Sequence, residues 1–181
     1  VPFTGVAFEI SKESGTIIQQ ANYIDGLAWG KYYEWWSNGS KKVNGTYRFG
    51  LMYGRWKFFY DSGKILCAGS YMNGKGHGST KLIDTIPQEG ISGLWTYWDN
   101  DGRKIEEGYY SKNGTEKGNW SFWDRDGKKR LGKKIDYKTF RNIGLYKHLD
   151  GVFLVTGPID GLSTAYTQAH GSVRGGRLDG P

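Results

Sequence analysis

Through most of residues 1–134, large apolar and polar positions alternate with a period of two, and glycine-bearing turns cut the alternation at regular intervals. From Gly54, Trp56 and Phe58 stand two and four positions on, followed by the turn Asp61-Ser62-Gly63, an apolar run and Gly69-Ser70-Tyr71. The same order opens at Gly30 with Tyr32 and Glu34, at Gly93 with Trp95 and Tyr97, and at Gly118 with Trp120 and Phe122. The first two of these three close on Gly45-Thr46-Tyr47 and Gly108-Tyr109-Tyr110. Period-two alternation rich in aromatic and β-branched residues predicts strands. Ser-Asn-Gly, Asp-Ser-Gly, Asp-Asn-Asp-Gly and Asp-Arg-Asp-Gly predict tight turns whose glycines Gly39, Gly63, Gly102 and Gly127 supply φ > 0. Each unit therefore reads as a β-hairpin.

The opening glycines fall at Gly5, Gly30, Gly54, Gly78, Gly93 and Gly118, in steps of 25, 24, 24, 15 and 25 residues. The short step marks a truncated unit at Gly78, and the first unit keeps its turn at Ser14-Gly15 but is otherwise degenerate. Alternation puts Tyr32, Trp56, Phe58, Trp95 and Trp120 on one face, and Trp35, Trp98 and Trp123 with Tyr33 and Phe59 on the other. These rings form the candidate packing and binding stripe. A lone hairpin of this kind is not stable, so stacking of successive hairpins must bury the rings.

The pattern Gly-x-Trp-x-Phe-Tyr-x-x-Gly-Lys-x-x-x-x-Gly-x-Tyr resembles the variant MORN repeat of the bacterial YwqK-like family, over about residues 5–134. The resemblance implies an all-β fold, an elongated single-layer stack of repeated antiparallel hairpins, with a C-terminal segment of residues 135–181 that departs from the pattern. Some members of that family carry an antitoxin label, and MORN repeats elsewhere serve protein-interaction or lipid-associated roles. The resemblance supplies no catalytic residue.

Composition agrees with a thin, ring-lined sheet. Hydrophobic residues make up 37% of the 181, yet aromatics reach 16% and glycines number 29, too aromatic for disorder and too polar for a thick core. No apolar run is long enough to span a membrane as a helix. The net charge of +7 suits nucleic acid or anionic surfaces. Lysines beside the turns (Lys41, Lys42, Lys64, Lys104, Lys128, Lys129) also guard exposed hairpin ends, and rings so regularly spaced suit packing better than base stacking. Nucleic acid and membrane are thus disfavoured as partners, and the chain itself or another protein is expected.

Other candidate chemistry is sparse. Four sequons give Asn38, Asn44, Asn113 and Asn119 as candidate glycosylation sites on an exported or cell-surface protein, with Asn38 best placed at a turn tip. Asn-Gly is also what a hairpin turn favours, and that reading is preferred. Asp99-Asn100-Asp101-Gly102 and Asp124-Arg125-Asp126-Gly127 lack the further oxygens of a calcium loop. The lone Cys67 excludes an intramolecular disulfide framework and is read as a small packed residue. His77, His148 and His170 lack metal-ligand spacing with one another, and no nucleophile elbow occurs. No cofactor, metal or catalytic residue is assigned, and a non-enzyme is expected.

The N-terminus, Val1-Pro2 without methionine, suggests a fragment or a mature chain. Beyond Lys134, Gly151–Thr156 reads as a buried-type strand and 162–167 as a weaker one. Ile135 to His148 reads as a short helix or a strand, and the glycine-rich tail from Gly171 has too few apolar residues to pack alone. The functional expectation is a structural or protein-binding scaffold assembling end to end into a filament. An antitoxin or immunity-type binding protein is the alternative, and an anionic-surface binder the third reading.

Overall fold

The computed structural model describes residues 1–75, 86–123, 126–136, 151–156, 169–174 and 177–179. These residues are all-β, with no helix among them. They divide into two units, Val1–Lys117 and Gly118–Pro181.

In the first unit, β1 (Gly5–Ile10), β2 (Ile17–Ile24), β3 (Leu27–Trp35), β4 (Lys41–Arg48), β5 (Leu51–Phe59), β6 (Ile65–Gly74), β7 (Ile91–Trp98) and β8 (Lys104–Tyr110) follow one another in an open sheet. Each strand is antiparallel to the next. The tip loops Ser37-Asn38-Gly39, Asp61-Ser62-Gly63 and Asn100-Asp101-Gly102 are closed alike. Trp36, Tyr60 and Asp99 each receive a hydrogen bond from the loop glycine and donate to the carbonyl four residues on, all within 2.8–3.0 Å. Gly39, Gly63 and Gly102 have φ of 82°, 82° and 85°, as a three-residue loop ending in a left-handed residue requires.

At the opposite ends of the strands two of the connections are tighter. Asp25-Gly26 joins β2 to β3 and Phe49-Gly50 joins β4 to β5, as two-residue loops with positive φ at both residues. A register shift recurs beside each tip, at Glu9/Ile10, Glu34/Trp35, Phe58/Phe59 and Tyr97/Trp98. This repeated bulge lets two residues of the returning strand oppose one of the first.

One face of the sheet is the core. Tyr32, Val43, Tyr47, Trp56, Phe58, Cys67, Tyr71, Trp95 and Tyr110 are buried on it, and the register alternates them with Gly45 and Gly69. Each tryptophan lies on the glycine of the preceding strand: a Cβ on Gly45 would sit 2.1 Å from the Trp56 indole, and one on Gly69 2.0 Å from the Trp95 indole. Tyrosines then meet each indole edge-on. Trp56 is flanked by Tyr47 and Tyr71, with ring centroids 5.1 and 6.0 Å away, and Trp95 by Tyr71 and Tyr110 at 5.4 and 6.5 Å. The Gly-x-Tyr ending of a unit is thus a floor and a clamp for the next unit's tryptophan, and a buried aromatic of this size is worth several kcal/mol.

β9 (Glu116–Trp123), which enters the second unit at Gly118, is antiparallel to β10 (Lys129–Asp136), with Trp120 opposite Gly132. Trp120 and Phe122 are buried and Gly127 has φ 75°. The strand expected at Gly151–Thr156 is β11, parallel to β10. β12 (Ala169–Arg174) and β13 (Arg177–Asp179) add to it antiparallel. Of the tail from Gly171, read as too poor in apolar residues to pack alone, 171–174 pair with β11 and with 177–179. The truncated unit at Gly78, the segment from Tyr137 to His148 and the strand expected at 162–167 lie outside the described residues.

Candidate interaction surfaces

The stripe read from the sequence serves two purposes. Tyr32, Trp56, Phe58, Trp95 and Trp120 are buried core, whereas Trp35, Trp98 and Trp123 are half-buried. In the first unit the half-buried set forms a row on the outer face, Trp35 on β3, Phe59 on β5 and Trp98 on β7, opposite Lys41, Ile65 and Lys104 of the returning strands. In the second unit Lys129 lies 5.4 Å from the Trp123 ring.

The tip edge is stapled from loop to loop. Trp36 Nε1 donates to the Phe59 carbonyl at 3.2 Å, and the Tyr60 hydroxyl donates to the Trp98 carbonyl at 2.9 Å. These residues hold the same place in successive hairpins. Asn38 Nδ2 donates to the Asp61 carbonyl at 2.8 Å, and Ser62 Oγ to Asn100 Oδ1 at 2.8 Å. Burial pushes the Tyr60 phenol up to about 12.

The opposite edge carries a group of exposed apolar side chains. Phe49 has φ 52° and is 61% exposed. The Trp29 ring meets it edge-on at 4.6 Å, and the Arg48 guanidinium lies 5.7 Å from its ring and 5.4 Å from that of Tyr53. Leu27 packs over Gly50, whose amide donates to the Ala28 carbonyl at 2.8 Å. Phe3, Ile24, Leu27, Tyr53 and Met72 are exposed along the same ends of the strands. The left-handed region is strained for a bulky side chain. The sequence carried a signal that the motif reading missed: Asp25, Phe49 and Asn73 are 24 residues apart and all have positive φ, yet only Asp and Asn suit that conformation.

Several of the remaining candidates have structural duties. The Asn38 amide nitrogen is engaged by Asp61, and Asn38 Oδ1 accepts from the Ser40 amide at 2.9 Å. Asn113 Oδ1 accepts from Thr115 Oγ1 at 3.1 Å, Asn44 is half-buried, and Asn119 is exposed. In the Asp99 loop, Arg103 takes both carboxylates, Nε to Asp99 at 3.0 Å and Nη2 to Asp101 at 2.5 Å. Slight burial opposes ionisation of Asp99, but hydrogen bonds from Arg103 outweigh it and hold that carboxyl below its usual range. Among the described residues no group of three or more His, Cys, Asp and Glu side chains could hold a metal ion. Cys67 is fully buried. His77 and His148 lie outside the described residues. The buried Glu34 accepts from the Tyr32 hydroxyl and pairs with Lys42 at 3.2 Å. Burial and that hydrogen bond push the Tyr32 phenol far above its ordinary range.

No family model matches the chain, and no curated protein does. Among solved structures, it is similar to a crystal structure of a GtfA/B complex bound to UDP and GlcNAc, at 11% identity and a TM-score of 0.28. That alignment covers 88% of this chain and 35% of the other, so the chain spans about a third of that protein's length. A likeness at that score carries no argument about fold or function.

Proposed function

We propose that the chain is a non-catalytic repeat scaffold that binds another protein through the edge carrying Leu27, Phe49 and Tyr53. The observation that supports this is Phe49: a large ring held outward at a turn position where Asn or Asp would be relaxed. Exposed apolar residues continue along that edge, and such strips suit protein contacts. An antitoxin-type complex is one form this binding would take. Peptide-library selection tests it: selected peptides should lose binding to Phe49→Asn and keep it with Asn38→Ala on the tip edge. Peptides that bind Phe49→Asn as well as the parent reject the reading.

End-to-end self-association is a second reading, favoured by β1. Its outer residues Val6, Phe8 and Ile10 are exposed, and no lysine or proline interrupts the strand, whereas protected edge strands carry such residues. Light scattering separates the two: self-association falls with Phe8→Lys, while the first reading leaves the chain monomeric without its partner.

A further inference from the structure

The outer face of β3–β5 carries a charge pattern that packing does not use. Between Leu27 and Tyr60 the chain has six cations and one acid, Glu34. That acid is buried on the inner face and neutralised by Lys42. Lys31, Lys41, Arg55 and Lys57 stand on the outer face, where Lys57 faces Asn44 and Ala68, and Arg55 faces Ser70. Among the described residues none of these four cations has a carboxylate partner. Half-buried rings are set between them: Tyr33 on β3 between Lys31 and the Trp35 position, and Phe59 on β5 beyond Lys57. Trp35 and Phe59 are two strands apart, about 9.6 Å at the usual strand spacing.

We propose that this face binds single-stranded nucleic acid, with phosphates on Lys31, Arg55 and Lys57 and unpaired bases on Tyr33 and its neighbouring rings. Regular spacing of the rings argues for packing where they are buried, and the inner face has absorbed that set. The outer rings lie half-open among cations, the combination that single-strand binders use. A duplex keeps its bases stacked internally and offers these rings nothing. A lipid surface would be met by projecting side chains, whereas these rings are half-buried beside lysines.

Fluorescence anisotropy with a labelled oligo-dT of about 12 nucleotides tests the proposal. Binding should weaken with salt, log Kd changing by about 0.7 per log salt for each phosphate neutralised. The triple variant Lys31→Gln, Arg55→Gln, Lys57→Gln should flatten that slope by about 2. Tyr33→Ala should weaken binding about tenfold while leaving the slope unchanged, and Lys112→Gln, on a turn away from the face, should change nothing. Near-UV circular dichroism confirms that each variant is folded. If Tyr33→Ala destabilises the sheet, Tyr33→Leu, which keeps apolar bulk without a stacking plane, takes its place. Absence of binding at 50 mM salt overturns the proposal. So does equal binding of duplex, a sulfated polysaccharide or phosphatidylserine vesicles with no loss in the Tyr33 variant, because charge alone would then explain it.

Discussion

The two edges of the first unit are built from the same strands and end in opposite ways. Along the tip edge, side chains that can hydrogen-bond turn back into the structure. Trp36 and Tyr60 donate to carbonyls of the next hairpin, and Asn38 and Ser62 bridge neighbouring loops. At the other edge the two-residue loop Phe49-Gly50 offers no side chain that can hydrogen-bond, and the Phe49 ring stands exposed. A repeat supplies both edges with each copy of its sequence, so their divergence comes from a few positions within the unit. One edge secures the stack, and the other leaves it open to contact.

The core beneath both edges gives the largest expected effect. Gly69→Ala places a methyl inside the Trp95 indole, and neither is free to move; a loss of about 3 kcal/mol is expected, read by denaturant titration. A loss under about 1 kcal/mol would show that the ring does not rest on the glycine, and both edges would need another foundation. Alkali is expected to unfold the chain next. Burial raises the phenols of Tyr32, Tyr71 and Tyr97, and that of Tyr60 to about 12, against about 10 in the unfolded chain. Raised folded values mean the native state holds these protons longer. Their contribution is therefore complete below about pH 10 and falls as pH climbs through 10 to 12. Phenolate absorbance for these rings should appear together with unfolding; full titration at pH 10 in a folded protein would contradict it.

The edges themselves respond in opposite senses. Asn38→Ala removes the staple to Asp61 and should cost about 1 kcal/mol. Phe49→Asn trades a strained ring for the residue an Asn-Gly turn favours. Relief of about 1–2 kcal/mol is offset by loss of the Trp29 contact, about 0.5–1.5 kcal/mol. Stability should then stay within about 1 kcal/mol of the parent by thermal melting. A larger loss would make Phe49 a packing residue and erase the contrast between the edges.

The hairpins and the buried tryptophans were legible because period and turn chemistry act locally: Trp56, Trp95 and Trp120 lie where alternation puts them, and the tip glycines have the φ their turns demand. The division of the rings was only half legible. Alternation assigns Trp35 and Trp98 to the second face but does not tell how far neighbouring strands cover them. The second role of glycine escaped notice, because Gly45 and Gly69 are needed for space rather than for dihedral freedom, and space depends on a residue from another strand. Phe49 was missed for a related reason: a phenylalanine beside glycine reads as strand until the 24-residue spacing aligns it with Asp25 and Asn73. The pairing of β12 and β13 rests on backbone bonds, which composition does not report.

A strand with a period of two faces a problem of address, since sliding by two residues keeps the same face inward. The indole seated on glycine acts as a key. Were β5 to slide by two residues along β4, Trp56 would meet Val43 or Tyr47 in place of Gly45, and neither leaves room for a flat ring. Slipped pairings are therefore opposed by volume before any hydrogen bond is counted, and because the same seat recurs at Gly69 under Trp95, each hairpin carries its own stop against sliding.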